Sequence, residues 1–296
     1  MTGRGFLRMC RRVLIASPIG FCGGVRNALG LFARLREENP GEPTYVLHEL
    51  VHNELVTAMM LRDGAIFVDS PSSVPRGARI LIGAHGCGDS VLAECRARGL
   101  EIIDATCPFV RRLQDEVAGY SEAATVVFLG DRRHPEVQGV LDRLHGREYH
   151  LVTCADEARA LPAISRAVFF NQTTRSHDEV ERTLEALRGR VELLDDQSHI
   201  CEAVACRQDS MSQVAPRCQF VYVIGSPHSS NARRLEAVAR GCCPGRVKMV
   251  DSAGGVVEKE LENVECVGVG TATSSPDCEI DAVLARLEEL GFSREE

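Results

Sequence analysis

Short apolar runs recur along the chain, and each stops abruptly at small or polar residues. Val13-Leu14-Ile15-Ala16 gives way to Ser17-Pro18-Ile19-Gly20-Phe21-Cys22, Ile80-Leu81-Ile82 to Gly83-Ala84-His85-Gly86, and Glu101-Ile102-Ile103 to Asp104-Ala105-Thr106-Cys107-Pro108. Thr125–Leu129 leads to Gly130 and then His134-Pro135-Glu136, and Ala167–Phe170 to Asn171-Gln172-Thr173-Thr174. Phe220–Ile224 leads to Gly225 and then Ser229-Ser230-Asn231, and Cys266–Val269 to Thr271–Ser275. Runs of this kind, bounded by Gly, read as strands buried on both faces. Helical spacing predicts helices over Asn27–Arg36, Asp178–Leu187, Arg233–Arg240 and Ile280–Leu290. The alternation predicts an α/β fold with mostly parallel sheets. Ligands in such folds collect at the carboxyl ends of the strands. Here those ends hold His, Cys, Ser, Thr and Asn. Helix capping accounts for Ser176 or Asn231, but not for Cys or His at so many exits.

Composition narrows the class. The chain has 296 residues, 44% apolar and 26% charged, as expected for a globular protein. Its net charge of −8 argues against nucleic-acid binding, which rests on neutralising phosphates. No apolar run reaches the length of a membrane helix. The basic start followed by a short apolar stretch holding Pro18 and Gly20 does not read as a leader peptide. Thirteen cysteines, an odd number scattered over a long chain, do not suit a disulfide scaffold. A reducing cytoplasm is expected, with no nucleic-acid or membrane partner.

Cys22, Cys107 and Cys201 each precede a helix-like segment and cut the chain into near-thirds. The thirds share no sequence identity, so any repeat is topological. Structural zinc takes four ligands with at least one close pair, and the chain has no CxxC. Soft thiolates suit an iron–sulfur cluster, and three of them leave one iron of a four-iron cluster open. Isolated cysteines are more commonly inert, buried hydrophobes, and spacing alone leaves both states open.

The local sequences go further. Ala16–Val25 with Gly23-Gly24, Leu50-Val51-His52-Asn53, Ala84-His85-Gly86, Asp104–Pro108, His134-Pro135-Glu136, Gln172-Thr173-Thr174, Ile200-Cys201 with Arg207-Gln208, Gly225-Ser226 with Ser229-Ser230-Asn231, and Ser274-Ser275-Pro276-Asp277 occur in this order. This set closely resembles the LytB/IspH family of 4-hydroxy-3-methylbut-2-enyl diphosphate reductases, over nearly the whole chain. The resemblance implies three pseudo-equivalent α/β lobes around a central [4Fe–4S] cluster held by Cys22, Cys107 and Cys201. The lobes are expected at residues 24–107, 108–203, and 204–296 plus 12–23. The implied substrate is a small allylic diphosphate, whose hydroxyl leaves as water after addition of two electrons and two protons. The products are isopentenyl and dimethylallyl diphosphate, in the last step of the non-mevalonate route.

Glu136 is then the candidate proton donor, because a carboxyl in a closed site can act as a general acid. Thr173 would relay or orient the proton, supported by Thr174 and Gln172. His52, His85, His134, Ser229, Ser230, Asn231 and Ser274 would donate to the diphosphate, since neutral donors at strand ends and helix N-termini bind phosphate. Gly23-Gly24, Gly83 and Gly86 would allow close backbone approach. His48, His145, His150, His177, His199 and His228 are expected to be structural or solvated, and Glu258–Glu265 to be a solvated acidic stretch. The remaining cysteines, Cys10 among them, are expected to be free thiols, with Cys206 the first to suspect of more. GxGxxG is absent, so electrons are expected from a ferredoxin or flavodoxin rather than a bound nicotinamide, and the chain is expected to be a monomer. A quinolinate-synthase-like dehydratase and a non-catalytic iron–sulfur sensor are the alternatives. The first shares only the architecture, and the second would not need Glu136 and Thr173.

Overall fold

A computed structural model describes residues 11–295, so Cys10 lies outside the described residues. The described residues divide into two compact units, one formed by residues 22–205 and the other by residues 11–21 together with 206–295.

The 22–205 unit holds two four-stranded sheets. The first contains β2 (Thr44–Leu47), β3 (Ala65–Val68), β4 (Arg79–Ile82) and β5 (Glu101–Asp104), in the order β3-β2-β4-β5. Its helices are α1 (Gly23–Glu38), α2 (Glu54–Arg62) and α3 (Asp89–Ala97). The second contains β6 (Thr125–Leu129), β7 (Tyr149–Val152), β8 (Ile164–Asn171) and β9 (Val191–Asp196), in the order β7-β6-β8-β9. Its helices are α4 (Pro108–Gly119), α5 (Pro135–Asp142), α6 (Ala155–Arg159) and α7 (His177–Arg188). Every pairing is parallel. In both sheets the second strand in sequence lies outside the first, followed by the third and fourth.

The second sheet shows why its centre reads as unbroken apolar sequence. Side chains alternate across a strand. Val127, Leu129, Ala167 and Phe169 therefore pack on Ala158, Leu184 and Leu187 from α6 and α7 on one face. Val126, Phe128, Val168 and Phe170 pack on Leu113, Val117, Val137 and Val140 from α4 and α5 on the other. With helices on both faces, the middle of each central strand is apolar, and polar residues appear only towards the strand ends, as at Asn171. The edge strand β5 departs from the double-burial expectation: Glu101 and Asp104 are exposed, because an edge position leaves the strand uncovered.

The other unit contains β1 (Arg11–Ala16), β10 (Phe220–Ile224), β11 (Arg246–Val250), β12 (Cys266–Thr271) and β13 (Phe292–Arg294), with α9 (Ser230–Cys242) and α10 (Asp277–Glu289). The sheet order is β11-β10-β12-β1-β13, again all parallel. The same second-first-third order begins this sheet, and β1 takes the fourth place. Helix α8 (Glu202–Val214) spans the division between the units. The acidic stretch is not wholly solvated: its charges face out, but Leu261 and Val264 anchor it in the core. No helix among the described residues is long and apolar enough to cross a membrane.

Candidate active site

Cys22, Cys107 and Cys201 all belong to the 22–205 unit, and each stands at the start of a helix. Cys22 is the N-cap of α1, and Cys107 is the N-cap of α4, with Pro108 in the first turn. Cys201 precedes α8, where its carbonyl accepts from the N–H groups of Val204 and Ala205 at 2.8 and 2.9 Å. The sulfurs converge. A Cβ on Gly24 would lie 2.9 Å from Cys107 Sγ and 3.9 Å from Cys22 Sγ, and charge on Cys107 and Cys22 acts on Cys201. Gly24 is therefore required by sulfur; Gly23 has open space around it. Burial pushes the Cys107 and Cys201 thiols up. The N–H groups of Phe109 and Val110 facing Cys107, and of Ala203 and Val204 facing Cys201, pull the other way. These are first-turn N–H groups, the positive end of each helix, which favours thiolate.

Such a donor set can be tested against the groups it could hold. Among the described residues, the one group of three or more ligating side chains with ligand atoms within 4.8 Å of one another is His52, His85 and His134. The three sulfurs are therefore spread too widely for one zinc, whose Zn–S bonds of about 2.3 Å draw sulfurs to roughly 4 Å apart. Three soft donors with wider spacing fit a polynuclear thiolate-bound group.

Glu136 lies in the first turn of α5 and is buried. Its carboxylate accepts from the Thr173 N–H at 2.7 Å and the Thr173 hydroxyl at 3.0 Å. Thr173 in turn accepts, through its carbonyl, the N–H of Cys201 at 2.9 Å. Glu136 also adds, after burial, to the effects raising Cys107. One threonine at the exit of β8 thus ties the buried acid to the segment that carries a thiol.

The neighbours of Thr173 fix that exit. Asn171 Nδ2 donates to the His199 carbonyl at 3.2 Å, and the His199 N–H donates back to Asn171 Oδ1 at 2.9 Å. Gln172 Oε1 accepts from the Asp131 N–H at 2.9 Å. Buried Arg175 holds Asp131 at 2.8 Å and Glu179 at 2.9 Å, and Ser176 with Glu179 forms the capping box of α7. Gln172 Nε2 and Thr174 Oγ1 are buried here without a hydrogen-bond partner. Unsatisfied buried donors are rare and mark a place where a ligand can supply the acceptor.

His52, His85 and His134 form a cluster. The ring centroids of His52 and His85 are 4.8 Å apart and stacked; His134 stands edge-on at 5.4 and 5.0 Å. Burial, then the neighbouring imidazoles of His134, His52 and His48, holds His85 well below the ordinary histidine range. His134 is the N-cap of α5, and its Nδ1 accepts the Glu136 N–H at 3.2 Å. A ring whose Nδ1 accepts carries its proton on Nε2 when neutral. His134 is thus a fixed Nε2–H donor. The trio cannot present three neutral lone pairs to a metal while His134 caps the helix, so its geometry favours an anion.

The remaining predicted donors lie in the other unit. Ser229 is the N-cap of α9, its hydroxyl accepting the Ala232 N–H at 3.4 Å, and Ser230 follows it. Asn231 is not the cap: it lies one position further in, donating from Nδ2 to Thr273 Oγ1 at 3.1 Å, with its buried Oδ1 unpartnered. Ser274 is buried in the turn after β12. Sequence inspection missed Glu49, whose carboxylate contacts His52 Nδ1 at 3.1 Å, and Asn171; the three-residue spacing of Glu49 and His52 was the one available signal.

The family model described as LytB protein matches residues 13–288. A 4-hydroxy-3-methylbut-2-enyl diphosphate reductase of Nitrosomonas europaea is 38% identical, the alignment covering 94% of this chain and 88% of that one. The same-named protein of Aromatoleum aromaticum is 36% identical, covering 96% and 91%. Among solved structures, (E)-4-hydroxy-3-methyl-but-2-enyl diphosphate reductase, described as the terminal enzyme of the non-mevalonate pathway, is 27% identical with a TM-score of 0.66, covering 94% of this chain and 99% of that one. The E-1-hydroxy-2-methyl-but-2-enyl-4-diphosphate reductase of Plasmodium falciparum, 24% identical with a TM-score of 0.88 and covering 96% and 92%, has the same fold. With most of its length matched by that family model and by relatives above a third identity, this chain belongs to the LytB family.

Proposed function

We propose that this chain is a 4-hydroxy-3-methylbut-2-enyl diphosphate reductase. It removes the substrate hydroxyl as water, using two electrons and two protons, and yields isopentenyl and dimethylallyl diphosphate. Its relatives carry this name over nearly their whole length. The observation that carries the chemistry is Thr173: its side chain and N–H hold buried Glu136, and its carbonyl holds Cys201.

Cys22, Cys107 and Cys201 would hold a [4Fe–4S] cluster, a reading supported by three converging sulfurs and helix N-termini. A cluster held there supplies electrons and Lewis acidity. Glu136 supplies the proton. It is buried, so water does not compete, and its carboxyl oxygen is within hydrogen-bond reach of the Thr173 hydroxyl. That hydroxyl can rotate, accepting from Glu136 and donating onward. His134 offers a fixed N–H to the diphosphate, beside His52 and His85. The unpartnered atoms of Gln172 and Thr174 await acceptors. Ser229, Ser230, Asn231 and Ser274 are the further diphosphate donors, supported by the helix N-terminus that Ser229 caps. Neutral donors suit this task because they recognise phosphate oxygens without adding standing charge.

The division into lobes at 24–107, 108–203 and 204–296 plus 12–23 is part of the same reading, supported by the shared strand order of three sheets. So are a cytoplasmic monomer and a ferredoxin or flavodoxin as electron donor, since no dinucleotide fingerprint is present. The test is anaerobic reconstitution with iron and sulfide, followed by a dithionite-driven assay with the hydroxymethylbutenyl diphosphate. Formation of both isoprenoid diphosphates is expected. A reconstituted chain without visible iron–sulfur absorption, or one that turns over without reductant, would overturn the reading.

A further inference from the structure

Three imidazoles meet at one place, yet their surroundings make them chemically different. His134 is locked as an Nε2–H donor by the Glu136 N–H on its Nδ1. His85 is held well below the ordinary histidine range by burial and by the facing His134, His52 and His48. His52 has a different partner. Glu49 Oε2 lies 3.1 Å from its Nδ1. An ionised carboxylate only accepts hydrogen bonds, so Nδ1 carries the proton and Nε2 presents a lone pair. A lone pair facing a phosphate oxygen sets acceptor against acceptor. A proton taken up at Nε2 resolves the conflict, and the resulting imidazolium lies between two anions.

The backbone places this pair firmly. Glu49 and His52 flank Leu50 and Val51, both buried in the turn between β2 and α2, and Asn53 caps α2 by accepting the Val56 N–H at 2.9 Å. The two buried residues anchor the turn, and the three-residue spacing sets Glu49 beside His52. The charged and titratable groups around His52 are Glu49 from its own turn, His85 from the turn after β4 and His134 from the start of α5. His48, 3.9 Å from Asp69, is the next group out, acting on His85.

We propose that Glu49 is a positioning residue that makes His52 the imidazole which takes up a proton when diphosphate binds. The inference rests on the diphosphate reading of the histidine cluster and adds to it the identity of the charge carrier. It explains how a site with no lysine or arginine among its predicted donors meets a multiply charged anion. The positive charge is created on binding, where it is needed, rather than held there beforehand.

The test is calorimetry of inorganic diphosphate binding to the cluster-reconstituted protein, in buffers of different ionisation enthalpy. At pH 8, above the ordinary histidine value, wild type is expected to take up close to one proton per diphosphate. Glu49→Gln frees His52 to adopt the Nε2–H tautomer. Uptake is then expected to fall to less than roughly half, with affinity weakened about fivefold, the pair being partly exposed. Glu49→Asp is expected to restore part of the uptake, which a merely structural role would not do. Undiminished uptake in Glu49→Gln, with binding still weakened by His134→Ala, overturns the inference and leaves the diphosphate site standing. Binding indifferent to both His85→Ala and His134→Ala overturns that site, and this inference with it.

Discussion

Two sets of thiols in the two units show what surroundings do to one side chain. Cys107 and Cys201 stand at strand exits and face the N–H groups of a following helix. Cys218, Cys243 and Cys266 lie at the opposite end of their sheet, packed among Leu14, Val221 and Ala239. There Cys218 Sγ donates to the Val214 carbonyl at 3.3 Å, and Cys243 Sγ donates to the Cys218 carbonyl at 3.4 Å. Burial, with the neighbouring Cys266 and Cys243, pushes the Cys218 thiol far up. An N–H donor stabilises thiolate, and a carbonyl acceptor stabilises thiol. In the first set, helix N–H groups oppose the upward push of burial. In the second, Cys218 is held as a thiol and the group packs as small core residues, even though Cys218 and Cys266 place their sulfurs 3.7 Å apart.

The largest expected effect separates these sets. Cys22→Ser, Cys107→Ser or Cys201→Ser should each remove the iron–sulfur absorption of the reconstituted protein and all turnover. Cys218→Ala should keep both and lower stability by about 1 kcal/mol. A Cys218→Ala protein that cannot assemble the cluster would erase the distinction.

Next comes the acid that the first set adjoins. Glu136→Gln should keep the cluster spectrum and lower turnover by roughly a hundredfold or more, the usual worth of a positioned proton donor. Full activity in that variant would remove Glu136 from the reaction while leaving the thiol comparison intact.

The smallest effect concerns the turn that delivers Cys107. Burial alone would raise Asp104, but hydrogen bonds from Thr106 and Arg111 outweigh it and hold the carboxyl below its usual value. A depressed carboxylate stabilises the fold above its unfolded value of about 3.9, and that stability is lost as pH falls through the lower, folded value. Asp104→Asn should therefore cost about 1 kcal/mol near neutral pH, Asp104 being half-exposed and screened. The difference in Tm from wild type should begin to shrink as pH drops below about 4 and close once pH passes the lower, folded value. A constant difference down to pH 3 would show that the ion pair does not act through its charge.

Sequence and structure agree best where the physics is local and strong. The central strands β6, β8 and β10 are covered by helices on both sides, so their middles are apolar runs (Val126–Leu129, Ala167–Phe170, Phe220–Ile224) and their limits could be read within a few positions. The short edge strands β3, β7, β11 and β13 carry no such signature and were not expected, because an edge strand is specified by its partner as much as by its own side chains; the four-residue inner strand β2 was too short to be read. The cap of α9 moved from Asn231 to Ser229, since both residue types cap equally well and only the backbone path chooses between them.

The chain by itself determined the alternation of strand and helix, the polar strand exits and the family, because burial writes itself into hydrophobic runs and functional turns into short motifs. Tertiary structure alone decided that distant Cys22 and Cys107 face one glycine, that Thr173 joins Glu136 to Cys201, and that three histidines meet with different partners. Those facts depend on which N–H, carbonyl or carboxylate arrives opposite each side chain. For the cysteines and for Thr173 with Glu136, folding brings those partners together from far along the chain, and no local pattern records them; the Glu49–His52 and His134–Glu136 contacts are local, but the meeting of the three rings is not.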